Sequence, residues 1–99
     1  MQKRHVSLWE DLLETLSLFR ADFLSYKTYL DLLDDIIRQL NIENSIKEKL
    51  IDHWFVLEII YALLYEQQRT VLTNEEMKAV EFSLDEMAKI AKDSITYWK

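Results

Sequence analysis

His5 and His53 are the only histidines in the chain, and no cysteine accompanies them. A helical metalloprotease centre needs His-Glu-x-x-His, and a ferritin-like metal site needs Glu-x-x-His on two helices. Three residues before His53 stands Leu50, and three before His5 stands Gln2. Neither pattern is present. Asp52 adjoins His53, but sequence neighbours point to different helix faces, so His53 reads as a helix-edge residue. The absence of Cys excludes disulfides, thiolate metal sites and thiol catalysis. The absence of Gly excludes glycine-rich phosphate loops. No catalytic residue, cofactor site or metal site is expected, and the chain reads as non-enzymatic.

Glu58 is the single residue with most chemical interest. Its neighbours at helical spacing are Trp54, Phe55, Tyr61 and Ala62, which predicts an apolar setting. A carboxylate buried without partners is costly, or has its pKa raised until it is neutral. If the segments on either side of Asn41–Asn44 pair antiparallel, Glu58 comes level with Tyr26 and Tyr29, whose hydroxyls would satisfy it. A register-fixing hydrogen bond is the first reading, and an anchor for a basic residue of a partner is the second. Asp31, Asp34 and Asp35 form a small acidic cluster. Such clusters are ordinarily solvated faces. A divalent-ion site would add loop carbonyls, and none is indicated.

The elements that must position these residues are helical. Neither Gly nor Pro occurs among the 99 residues, against ordinary usage of about 7% and about 5%. Tight glycine turns and proline kinks are therefore absent. The central run His53–Tyr65, HWFVLEIIYALLY, is interrupted only by His53 and Glu58. A helix apolar on nearly every side is normally covered on nearly every side.

Upstream, Trp9, Leu12, Leu16, Phe19, Phe23, Tyr26, Leu30, Leu33, Ile37 and Leu40 keep a 3-4 alternation without a slip. That phase predicts one long helix over about 8–40, roughly 50 Å in length, carrying a coiled-coil-like seam. The rival reading breaks it near 25–28, giving four helices. Two further helices are expected over about 45–68 and about 74–97. Ser7–Glu10, Ser45–Glu48 and Thr73–Glu76 each match a capping box, and Asn41 is the expected stop after the first helix. The fold class is an antiparallel all-α bundle of three helices, or four with the break, in one domain over 1–99 with a frayed lead at 1–6. With three unequal helices, the first would overhang the others by roughly 14 Å, leaving Trp9, Leu12 and Leu16 uncovered. That overhang and the all-round central helix both call for more protein, which a homodimer would supply.

Eighteen acids against twelve bases give a net charge of −6. The acids are dispersed, with no basic stripe, so direct nucleic-acid binding is not expected. The apolar run is too short to span a bilayer, and the basic start leads into no signal-peptide core. A cytoplasmic location without membrane contact is expected. In size, charge and fold class the chain resembles small acidic helical proteins that block or regulate another protein: immunity proteins, antitoxins and phage-encoded inhibitors. That resemblance implies an acidic inhibitor or regulator working by protein–protein contact on a basic surface. The candidate interface residues are Trp9, Leu12, Leu16, Trp54, Phe55, Glu58, Tyr61, Asp31, Asp34 and Asp35. The alternatives are a subunit of a larger helical assembly and a small-molecule-binding bundle with Trp54, Tyr61 and Glu58 around its pocket.

Overall fold

The computed structural model describes the backbone of residues 2–22 and 25–98 and the side chains of residues 7–22 and 25–96. It is all-α, with α1 (Gln2–Ala21), α2 (Tyr26–Gln39), α3 (Asn44–Glu66) and α4 (Asn74–Trp98). Each helix packs on its sequence neighbours, and α1 also packs on α4, while among the described residues the diagonal pairs make no close backbone approach. Cross-links between distant positions show antiparallel neighbours all round. Arg20 pairs with Asp85 between α1 and α4, the Trp54 indole donates to the Leu30 carbonyl between α3 and α2, and His53 meets Phe82 between α3 and α4. Short connections between consecutive helices favour this arrangement.

The unbroken first helix is not observed. The chain leaves α1 at Ala21 and re-enters a helix at Tyr26, so the bundle has four helices. The break falls slightly before the 25–28 stretch named by the rival reading, and Thr28 lies inside α2. One seam position, Phe23, lies outside the described residues. The Asp22 amide bonds both Leu18 and Phe19 carbonyls at 3.0 and 3.3 Å, which tightens the last turn of α1. Across the turn the Phe19 and Tyr26 rings meet edge-on with centroids 4.7 Å apart. The apolar phase runs through the break because both arms of the hairpin turn their stripe to one core. Leu12, Leu16 and Phe19 of α1 join Leu30, Leu33 and Ile37 of α2 there, with Leu50, Leu57, Val80, Leu84 and Met87 from the other pair.

Folding back also removes the overhang. Trp9, Leu12 and Leu16, expected to be uncovered, are buried within this chain. They are core residues and are not offered to a partner.

The helix ends differ from expectation at several points. The backbone of residues 2–6 is already helical, so the expected frayed lead is instead the first turn of α1. Ser7 consequently lies inside the helix; Gln2, Lys3 and Arg4 are good helix formers and carry it past the cap. Helix α3 starts after Glu43 with no side-chain cap, and the Ser45 hydroxyl bonds Glu43 Oε1 at 2.9 Å rather than closing a box. Asn41 does not take the left-handed stop: α2 ends through an extended Leu40, and among the described residues positive φ falls at Gln68, at 53°.

The end of α3 is closed by a Schellman motif. The Arg69 amide bonds the Leu64 carbonyl at 2.9 Å and the Gln68 amide bonds the Tyr65 carbonyl at 3.2 Å. The third capping box forms as expected. The Glu76 amide bonds Thr73 Oγ1 at 3.1 Å, and the Thr73 amide bonds Glu76 Oε1 at 2.9 Å. Arg69 adds a bidentate clasp on Glu76 at 2.8 and 2.9 Å. The Arg69 guanidinium, with the Thr73 amide behind it, pulls the Glu76 carboxyl down to about 2.

Candidate functional site

A groove of about 520 Å³ runs between α2 and α3. Its floor and walls follow from the antiparallel register of the two helices. Trp54 is anchored by its indole N–H on the Leu30 carbonyl at 2.9 Å. The buried Tyr26 hydroxyl donates to the Leu57 carbonyl at 2.6 Å, and its ring stacks obliquely on Tyr61 at 5.6 Å. Tyr61 and Tyr65, one turn apart on α3, lie at 6.4 Å. Aromatic faces therefore line the groove on rigid helices, which is where positioned contacts are best held.

The polar wall is acidic. Asp31 and Asp34 come from α2, Glu58 and Glu66 from α3, and Lys27 is the one lysine or arginine among the lining residues. Lys27 Nζ bonds Asp31 Oδ1 at 2.9 Å and stands 6.0 Å from the Tyr61 ring centroid. The Asp31 carboxylate holds the Lys27 ammonium in its charged form, raising its pKa, with small additions from Tyr61 and Glu58. Asp34 pairs with Arg38 one turn on, at 2.9 Å. Glu58 and Glu66 have no ion pair among the described residues.

Glu58 is half-buried on the groove wall and is not enclosed by apolar side chains. The expected register of Tyr26 opposite Glu58 is correct to one residue. The hydroxyl, however, goes to the Leu57 carbonyl, because the Glu58 side chain projects from the side of α3 while Leu57 faces the core. Tyr29 instead meets Phe19 of α1, with ring centroids 5.8 Å apart.

Of the candidate interface residues, the groove gathers Trp54, Glu58, Tyr61, Asp31 and Asp34. Asp35 is separated from the other two aspartates and lines a different cleft, between α1 and α2, beside Leu18 and Leu32. Phe55 is exposed on the outer side of α3. Lys27, Tyr65 and Glu66 were not among the candidates, although Lys27 stands four before Asp31 and Tyr65 four after Tyr61, spacings that share a helix face.

A second cavity, about 580 Å³, lies at the end of the bundle where Trp9 meets Ile42, Ile46, Asp93 and Ser94. The Trp9 Nε1 there is buried without a hydrogen-bond partner. It is also sealed from solvent, so it presents no reachable donor. Among the described residues no group of three or more His, Asp or Glu side chains is placed to hold a metal ion, and no helix is long and apolar enough to cross a membrane. No family model matches the chain, and comparison with curated proteins and with solved structures returns no match.

Proposed function

We propose that this chain is a non-enzymatic, cytoplasmic protein-binding module, an acidic inhibitor or regulator that engages a basic surface of another protein through the α2–α3 groove. The observation that carries this reading is the seat of Lys27. Its ammonium is held by the Asp31 carboxylate at 2.9 Å and lies 6.0 Å from the centre of the Tyr61 ring. Carboxylate plus aromatic face is the chemistry that receives a lysine or arginine. Both members of the Lys27–Asp31 pair are more than half exposed, at 60% and 62%. Exposed pairs of this kind add little to stability, so a partner's cation can replace Lys27 at small loss. Glu58 and Glu66 supply further negative charge along the same wall. The net charge of −6 favours encounter with a basic protein, and it opposes a phosphate backbone.

A homodimer is the second reading. The overhang that favoured it is gone, but Ile51, Phe55, Ile59 and Leu63 remain exposed on the outer face of α3. Absolute mass by light scattering over a wide concentration range tests it directly.

The leading reading is tested by affinity capture with the chain and with an Asp31→Lys/Glu58→Lys double variant. A partner retained by the first, lost by the second and released by salt is the expected result. Equal retention by both would remove the groove from the function.

A further inference from the structure

The groove lies along one edge of an uncovered helix face. Among the described residues the backbone of helix α3 approaches α2 and α4 closely and no other helix, and its outward side is exposed. That side carries Ile51, Phe55, Ile59 and Leu63, exposed by 44, 53, 47 and 39%. A four-residue step on a helix forms the continuous ridge that packs into the groove of another helix. From Ile51 to Leu63 the ridge runs roughly 18 Å. Glu58 lies one turn from Phe55 and from Ala62 along the edge of this ridge and also on the groove wall. Apolar ridge and acidic wall are thus one surface.

We infer that this surface receives an amphipathic α-helix of a partner protein, its apolar face on the Ile51–Leu63 ridge and a lysine- or arginine-bearing flank in the α2–α3 groove. The inference rests on the reading of the groove as a seat for basic side chains and specifies the element that presents them. Charge selects this occupant over a second copy of the chain. Between Leu50 and Glu66, α3 carries Asp52, Glu58 and Glu66 and no lysine or arginine. A second copy would lay the same acids against these, between two chains of net charge −6. A helix that brings bases instead matches both the ridge and its edge, the helix-in-groove mode of recognition.

The test uses the full chain and three synthetic peptides of about eighteen residues, roughly 27 Å as helices. The first has leucines at a four-residue step and lysines and arginines along one flank. The second has the same composition in an order that forms no apolar stripe. The third replaces the basic residues of the first with glutamate. Binding is read by anisotropy of labelled peptide, and induced helicity by circular dichroism. The first peptide should bind and become helical, with the second and third at least about tenfold weaker. Phe55→Ser and, separately, Ile59→Ser should each weaken the first by about tenfold, on the scale of interface hot spots. Both positions are exposed, so loss of folding is not the expected cause, and the unchanged far-ultraviolet spectrum of each variant checks this.

Equal binding of the first two peptides would overturn the helix inference while leaving the basic-partner reading intact. No binding by either would overturn both. Full affinity in the two serine variants would remove the ridge. A constant dimer mass that Phe55→Ser converts to monomer would give the ridge to a second copy and overturn the inference.

Discussion

The Tyr26 hydroxyl donates to the Leu57 carbonyl at 2.6 Å, joining the first turn of α2 to the middle of α3 through the core. Burial, with a lesser push from the Glu76 carboxylate, raises the Tyr26 phenol well above its ordinary pKa. Tyr26→Phe should destabilise the chain by about 1 kcal/mol, the net worth of one such bond, measured by urea unfolding. The raised phenol has a second consequence, at alkaline pH. A group whose folded pKa exceeds its unfolded value contributes stability that is complete below the unfolded pKa. That contribution should disappear as pH rises above about 10, where the unfolded phenol ionises. The alkaline fall should be shallower in Tyr26→Phe.

At the acid end the relevant group is Glu76. Its carboxyl is held at about 2 by Arg69 and the Thr73 amide, below the ordinary 4.5. The charged form is the one the fold favours, so the contribution is complete above the unfolded value and is lost as pH falls from about 4.5 toward about 2. Unfolding midpoints followed across that window should fall in the parent chain and fall less in Glu76→Gln, which starts lower. Thr73→Ala removes the hydroxyl half of the same box and should reduce stability by about 1 kcal/mol at neutral pH.

Gln68 sits at φ 53° to close the Schellman motif after α3. A left-handed residue with a β-carbon is disfavoured by about 1–2 kcal/mol, part of which glycine returns as greater freedom in the unfolded chain. Gln68→Gly should therefore stabilise the protein by about 1 kcal/mol. Thermal and urea unfolding should agree on the sign. A loss would mean that the glutamine side chain itself supports the turn.

Leu12 and Leu18 share α1 but differ in setting: Leu12 is fully buried and Leu18 is 47% exposed. Leu12→Ala should reduce stability by about 2–5 kcal/mol, and Leu18→Ala should stay within about 0.5 kcal/mol. Similar values for the two would contradict the folded-back α1–α2 hairpin, since a continuous helix would leave Leu12 in the overhang.

Much of this arrangement is legible in the residues before any coordinates. The Thr73–Glu76 box, the end of the central helix near residue 68 and the apolar seam of α1 and α2 all follow from local chemistry. The break between Ala21 and Tyr26 does not. Neither glycine nor proline stands there, and the 3-4 phase of the apolar residues continues across it, so the stretch near 25–28 yields only the rival reading. What accompanies it is tertiary: Phe19 meets Tyr26 in a shared core. The same limit applies to the groove. Trp54, Glu58 and Tyr61 share one face of α3 by spacing alone. Asp31 and Asp34 join them, and Asp35 turns away, only because α2 presents one flank to α3 and the other to α1.

The three connections of the bundle are fastened unequally. Between α3 and α4 a Schellman motif, a reciprocal capping box and a bidentate arginine follow one another between Leu64 and Glu76. Neither Ser25 at the start of α2 nor Glu43 at the start of α3 makes a side-chain cap bond. Local opening should respect that order. In native-state hydrogen exchange, amides at the starts of α2 and α3 should exchange through small fluctuations, while those flanking Arg69–Glu76 should wait for larger ones. The α3–α4 hairpin would then be the last unit to come apart under gentle denaturation. The exposed ridge and the acidic groove wall would keep most of their shared scaffold, α3, after the starts of α2 and α3 have begun to open.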